Sequence, residues 1–294
     1  MKQIIHIGGN KTASTLFQRE LFAVHPRIAY LGEDCARYEQ VKDQIHVLVH
    51  EDDSFYDERC ARDIFDRYAH RDKSVFVFSN EDIMTTRHPS VCAARLKTLM
   101  PDAQVVMVIR NQLTTWPSWY VNHGAYLKLV PRRYWKRYVA FAEWLEYCFL
   151  FPHLTPVEAM NYERYFGVFS RYFGADNIHV LLYEDLQTNP HAYFAQWGAL
   201  LGVSSHEIET RVAGKRQRPR NSQRRMLFHR WASYLPLLYR PVEILFGSWL
   251  DEGRAANIEI PAEWIDRIHD YYAAGNRKLA TAAKLNLQAY GYPV

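Results

Sequence analysis

The 294-residue chain is predicted to be an α/β protein: a P-loop-like parallel sheet flanked by helices on both faces, with a helical C-terminal part. Three observations predict it. Short apolar runs recur at "QIIHI" (3–7), "SVFVFS" (74–79), "AQVVMVIR" (103–110) and "IHVLLYEDL" (178–186), and runs of this length fit strands buried on both faces. Helical patterns alternate with them, notably over 90–100, 112–129, 133–150 and 161–173, which implies a parallel sheet. The first run also passes straight through Gly8 and Gly9 into a further helical pattern.

Taken in order, the first strand is broken by Gly8-Gly9, and Thr12 or Ser14 is expected to cap the helix in "STLFQRELFAV". Leu16, Phe17, Leu21 and Phe22 recur there at helical spacing. Strand, turn and helix N-terminus in succession aim backbone N–H groups and the positive end of the helix dipole at an anion. The second run leads to Glu81, the third ends on Arg110 and the fourth contains Glu184. Ligands of such sheets sit beyond the C-terminal strand edges, where Lys11, Glu81, Arg110 and Glu184 fall. Segment 205–260 is the least regular and is read as a flap or helical cap within a single domain spanning 1–294.

Composition narrows the class. Hydrophobic residues make up 48% and charged residues 23%, as in ordinary globular proteins. A net charge of +4 does not suggest a nucleic-acid binder, but it leaves room for a local anion site. Cys35, Cys60, Cys92 and Cys148 form no C-x-x-C pair, and no His cluster has metal-ligand spacing. They read as separate reduced thiols in a cytoplasmic protein. Neither a signal peptide nor a transmembrane segment is expected: the apolar run near Met1 is only "IIHI", and Arg230, Arg240 and Glu243 interrupt the apolar stretch 226–250.

Three stretches carry chemistry. "HIGGNKTAST" (6–15) resembles the nucleotide-kinase loop G-x-x-x-x-G-K-[ST], but Asn10 precedes Lys11-Thr12 and Ile5 stands where the first glycine would be. Gly9, Asn10, Lys11, Thr12, Ala13, Ser14 and Thr15 form the candidate loop for one phosphate, with Lys11 as its charge-assisted contact. In "VIRNQLTTWPSWYVNH" (108–123), Ser118 follows Arg110 by eight positions, a rise of about 12 Å if helical. If strand end and helix fold back on each other, Arg110 and Ser118 clamp a second phosphate; the plainer alternative is an arginine paired with a carboxylate and a surface serine. "RVAGKRQRPRNSQRR" (211–225) holds seven Lys or Arg and no acid, and it reads either as a solvated loop or as a basic loop that closes over an anion before a helix N-cap at Asn221-Ser222. Two phosphate sites on one sheet edge suit a nucleotide phosphorylated at both ends. The third strand ends on Arg110, where a kinase would need a metal-binding carboxylate, and that counts against an ATP-dependent kinase.

These stretches together resemble the sulfotransferase family that uses 3′-phosphoadenosine 5′-phosphosulfate (PAPS), particularly its bacterial, carbohydrate-type branch. "HIGGNKTASTLFQ" is similar to the family's phosphosulfate loop H-I-G-x-x-K-T-G-[ST]-[ST]-x-x-Q. "IRNQLTTWPSWY" is similar to its 3′-phosphate motif R-[ND]-P-x-x-x-x-x-S-x-[YW], "VLLYEDLQTNP" to a recurrent strand and turn, and "NRKLATAAKLNLQAYGYP" to its C-terminal ending. The matches span nearly the whole chain. Ala13 departs from the loop's usual glycine and Gln112 from the usual proline after Arg110-Asn111.

The resemblance implies that Lys11 stabilises charge on the bridging oxygen as sulfate leaves, and that the N–H groups of residues 12 to 15 hold the 5′-phosphate. It implies that Arg110 and Ser118 hold the 3′-phosphate, helped by the basic loop at Arg220 and Asn221. PAPS would be the co-substrate and PAP the product, with no metal. Carbohydrate-type members use a carboxylate base; Glu81, oriented by Ser79 and Asn80, is the first candidate, with Asp82 and His123 as alternatives. His6 is expected to be structural, buried beneath the loop. A degenerate, non-catalytic nucleotide- or partner-binding fold is the rival reading. The expected acceptor is a glycan, lipid or small molecule. The Trp- and Tyr-rich segment 113–151 is read either as an acceptor groove or as helix packing. Segment 226–250 is read as core, as a homodimer contact or as a surface that reaches a lipid-linked acceptor.

Overall fold

A computed structural model of the chain describes residues 1–9, 11–32, 39–70, 72–124, 137–215 and 221–294. Contacts group the chain into two compact units. The first is Met1–Arg110, Ala159–Gln217 and Gly275–Tyr290; the second is Asn111–Glu158, Arg218–Ala274 and Gly291–Val294.

The first unit contains a sheet of five strands: β1 (Lys2–Gly8), β2 (Ile28–Gly32), β3 (Val75–Ser79), β4 (Gln104–Ile109) and β5 (Ile178–Leu182). Their order is β2-β3-β1-β4-β5, and every pairing is parallel. Four of these are the strands expected from the apolar runs. The fifth, β2, escapes the periodicity argument because "IAYLG" is short and follows a helical pattern closely, so its apolar residues do not separate from that pattern. β5 also ends sooner than its run suggests: Tyr183–Thr188 is helical, which places Glu184 on a helix just past the strand.

Both sheet faces are covered, which is why the strands lack a polar alternation. Ile4, Val75, Val77, Val106 and Val108 share one buried cluster with Phe17, Phe22, Tyr193 and Trp197. That cluster includes residues of the helices Pro190–Leu201 and Ser205–Val212. On the strands' alternate residues, Phe76 and Phe78 meet Phe65 of the helix Glu58–Tyr68 at ring separations of 6.0 and 5.1 Å. The helix Tyr162–Phe173 packs on β4, β5 and the helix Pro89–Leu99.

The second unit is helical and aromatic. Its helices include Gln112–Trp119, Phe141–Leu150, Gln223–Ala232 and Tyr239–Asp251. The first of these gives way to a π-helical turn, Tyr120–Gly124, just after Pro117, which cannot donate a backbone hydrogen bond. Trp116, Trp119, Tyr120 and Trp144 are buried. Trp116 meets Trp144 edge-on at 5.5 Å, and Tyr120 meets Phe141 at 4.8 Å. The Tyr120 hydroxyl donates to the Val139 carbonyl at 2.6 Å. These four residues are therefore helix packing; Tyr126, Tyr134 and Trp135 lie outside the described residues. Of the expected helix over 133–150, Phe141–Leu150 is helical and follows an extended Ala140, while 133–136 lie outside the described residues. Segment 205–260, expected to be the least regular, forms well-defined helices in both units.

Candidate functional site

β1 delivers Gly8 and Gly9 to the C-terminal edge of the sheet. A Cβ on Gly8 would fall 2.1 Å from Ser14 Oγ and 3.0 Å from the His6 ring, so a side chain there would force Ser14 Oγ out of its place beneath the loop. The Gly9 N–H donates to the Val108 carbonyl at 2.9 Å, which ties the loop to β4. Lys11 and Ala13 both take left-handed backbone conformations, at φ of 71° and 65°. Ala13 stands at the N-cap of the helix Ser14–Phe17, which continues as the π-helical turn Gln18–Phe22.

Neither Thr12 nor Ser14 caps that helix, contrary to the sequence expectation. The capping position belongs to Ala13, which has no polar side chain. Thr12 Oγ1 instead donates to the Gly9 carbonyl at 2.5 Å and lies 3.1 Å from Ser14 Oγ. Among the described residues, the N–H groups of Thr12, Ala13, Ser14 and Thr15 donate to no backbone carbonyl. Alternating left- and right-handed residues with successive free N–H groups make a concave anion nest. Asn10, assigned to the same loop, lies outside the described residues.

Beneath the loop, His6 is buried as expected. Its Nδ1 lies 2.7 Å from Ser79 Oγ, which also accepts from Gln18 Nε2 at 3.0 Å. Its ring packs edge-on against Phe22 and Trp197. Burial lowers its pKa to about 3, so the imidazole is neutral under all ordinary conditions. Ser79 is thus engaged below the loop and does not orient Glu81. Asn80 does not orient it either: its side chain accepts from the Asp82 N–H at 2.7 Å and caps the short 3₁₀ turn Glu81–Met84.

Glu81 is met instead by Thr15 of the loop helix. Its hydroxyl donates to Glu81 Oε1 across a long contact of 3.4 Å. This brings a carboxylate from the end of β3 against the first turn of the loop helix. Asp82 faces His50, at 3.8 Å. The side chain of His123 lies outside those described.

Arg110 is buried and joins the same edge. Its Nη1 donates to the Lys11 carbonyl at 3.0 Å, and its guanidinium carbon sits 4.7 Å from the Tyr183 ring centre. The Tyr162 hydroxyl donates to the Arg110 carbonyl at 2.6 Å. Tyr183 and Tyr162 were not singled out from sequence. Tyr183 had a signal: it is the first residue past β5, at the edge where Lys11, Glu81 and Arg110 lie. Tyr162 had none, because its helix is distant in sequence.

In the second unit, Asn111 Oδ1 caps the helix Gln112–Trp119 by accepting from the Leu113 N–H at 2.8 Å. Ser118 is buried on that helix and lines a cavity of about 180 Å³ with Thr114, Val121, Ala256 and Asn257. Asn221 reaches the same place: its Nδ2 donates to the Val121 carbonyl at 2.8 Å, and its own carbonyl accepts from the Ala256 N–H at 2.9 Å. Ser118 and Asn221, more than a hundred residues apart, are therefore neighbours. Ser222 caps the helix Gln223–Ala232, as the sequence suggested.

The basic stretch divides. Arg220 lies outside the described residues, as do Arg216 and Arg218. Lys215 pairs with Glu20 at 2.5 Å, and Arg225 pairs with Asp251 and Glu243 at 2.5 and 3.1 Å. Arg224 approaches Glu252 at 3.9 Å. These three cations are committed to acids of their own units.

No family model matches the chain, and no curated protein matches it. Solved structures do. The crystal structure of a sulfotransferase from Alicyclobacillus acidocaldarius aligns with 99% of this chain and 98% of its own, at 15% identity and a TM-score of 0.57. A mouse sulfotransferase complexed with PAP aligns with 96% of this chain and 82% of its own, at 11% identity and a TM-score of 0.41. The five-stranded parallel sheet with flanking helices is a sulfotransferase fold, on the first of these alignments.

Proposed function

We propose that the protein is a sulfotransferase that moves a sulfuryl group from PAPS to a hydroxyl or amine of a glycan, lipid or small-molecule acceptor. One arrangement carries the reading: the anion nest of residues 12 to 15, the Lys11 carbonyl held by Arg110, and Glu81 held against Thr15 meet at one sheet edge. The donor set fits a doubly phosphorylated nucleotide. The nest offers oriented N–H groups to a 5′-phosphate, and Lys11 adds a positive charge. Arg110 is the proposed holder of the 3′-phosphate. A guanidinium has five donors, so Arg110 is able to serve both the loop carbonyl and an anion.

When bound, PAPS supplies the activated sulfuryl group and leaves as adenosine 3′,5′-bisphosphate. Glu81 takes the proton from the acceptor hydroxyl as the new oxygen–sulfur bond forms and the bond to the bridging oxygen breaks. Lys11 places its charge where the departing phosphate gains negative charge. The neutral His6 and Ser79 hold the floor of the loop without taking part in proton transfer.

Calorimetric titration with adenosine 3′,5′-bisphosphate, beside ADP with and without Mg²⁺, tests this without knowledge of the acceptor. Preference for the bisphosphate without metal is the expected result. Preference for Mg-ADP would return the loop to phosphoryl transfer, and binding of neither would favour a non-catalytic fold. With an acceptor in hand, Glu81→Gln should keep bisphosphate affinity and lose turnover by about two to four orders of magnitude.

A further inference from the structure

The second unit carries a helical hairpin whose apolar residues face outward. The helices Gln223–Ala232 and Tyr239–Asp251 are joined by a short 3₁₀ turn, Pro236–Leu238. At the turn, Leu237 is 91% exposed and Tyr234 77% exposed. Along the second helix, Ile244, Leu245, Phe246 and Trp249 are all exposed. Segment 226–250 is therefore not the core that the sequence allowed; Phe228, Ala232 and Leu250 make only a small buried cluster between the helices.

Two features say what covers this surface. The first is its shape. Ile244, Leu245 and Phe246 are consecutive, and neighbours on an α-helix point about 100° apart, so their exposed side chains span roughly 200° of the helix. A protein partner would cover one face; an apolar medium surrounds a projecting tip. The second is charge. Stretch 230–242, "RWASYLPLLYRPV", contains no acid, and Arg230 and Arg240 flank the turn, both exposed. The nearest acids have cationic partners of their own: Arg225 binds Glu243 and Asp251, and Arg224 approaches Glu252. Exposed apolar residues with Trp and Tyr among them, two flanking arginines and no acid between those arginines are the pattern of a segment that lies in a membrane interface. No helix among the described residues is long and apolar enough to cross a membrane.

We propose that this hairpin seats the protein on an anionic lipid bilayer, with the turn around Leu237 in the headgroup–acyl boundary and Arg230 and Arg240 on lipid phosphates. The inference stands on the hairpin alone and is independent of the nucleotide reading.

Sedimentation of the full chain with vesicles tests it. Binding is expected to vesicles of phosphatidylcholine with phosphatidylglycerol, and to be weaker with phosphatidylcholine alone and at high salt. Leu237→Glu should lower partitioning roughly ten- to a hundredfold, the value of one buried leucine side chain. Arg230→Gln with Arg240→Gln should lower it roughly tenfold or more, with loss of the salt dependence. All three residues are exposed, so circular dichroism and thermal midpoint should not change, and equal binding by these variants would overturn the assignment. So would failure of the wild-type chain to sediment with anionic vesicles. A dimer in light scattering that Leu237→Glu dissolves would give the surface to a second copy of the chain instead.

Discussion

At Ala13, an L-residue holds the backbone angles of a glycine. The left-handed region costs a residue with a Cβ roughly 1–2 kcal/mol, and Ala13 sits there at φ 65° beside Lys11 at 71°. Ala13→Gly is therefore expected to stabilise the protein by about 0.5–1 kcal/mol, after the added freedom of the unfolded chain is counted. Urea unfolding checks this, and a fall in the midpoint would argue against a left-handed residue 13. His6 makes a second statement at this scale. Its folded pKa of about 3 lies below the ordinary value of 6.5, so between these values the unfolded chain binds a proton that the native state refuses. Its contribution to stability is thus fully present above pH 6.5 and is lost as pH falls, by about 2–3 kcal/mol at pH 4.5. The His6 ring resonances should show no titration between pH 8 and about 4.5; an inflection near 6.5 would mean that the ring is solvated.

Among the elements, the end of the helix Glu39–His50 shows how a buried cation is used for structure. Arg95 Nη1 donates to the carbonyls of Val47, Leu48 and Glu51 at 2.9, 3.1 and 3.0 Å, while Nη2 pairs with Asp53 at 2.7 Å. The Val47 carbonyl also accepts from the Glu51 N–H at 3.2 Å, but the Leu48 and Glu51 carbonyls lie past the last helical hydrogen bond, and a cation also suits the negative end of the dipole. Arg95→Met should cost about 2–4 kcal/mol, because it leaves buried acceptors without a donor. Arg62→Met is the control: Arg62 makes an exposed i,i+4 pair with Glu58 and should change stability by no more than about 0.5 kcal/mol. Equal losses would mean that the Arg95 network carries no special weight. The same scale explains Gln112. It is the first helical residue after the Asn111 cap, a position that accepts proline but does not require it. The departure from the family motif therefore leaves the helix start intact.

At the scale of the whole molecule, a ligand that binds only the folded chain stabilises it in proportion to its occupancy. Adenosine 3′,5′-bisphosphate at a hundred times its Kd should add about 2.7 kcal/mol, a rise in Tm of several degrees for a chain of this size. Lys11→Ala should remove most of that shift at the same concentration, with the ligand-free Tm little changed. A shift that survives Lys11→Ala would place the nucleotide elsewhere.

The sequence by itself determined the fold class, four of five strands and the loop at Lys11. These are local signals: apolar runs too short for helices, glycines at a strand end, and motif spacings within a dozen residues. It also located His6 correctly, because alternation along a strand assigns a residue to a face. Only the tertiary structure decided which contacts those residues make. Thr15 rather than Asn80 meets Glu81, Arg110 holds the Lys11 carbonyl and Tyr183, and Ser118 and Asn221 become neighbours. Trp116, Trp119 and Trp144 went inside while Leu227, Leu235, Leu237, Leu238 and Leu245 stayed outside, although both stretches read as equally apolar. Composition sets how much apolar surface exists, but only packing partners far along the chain decide which of it leaves water.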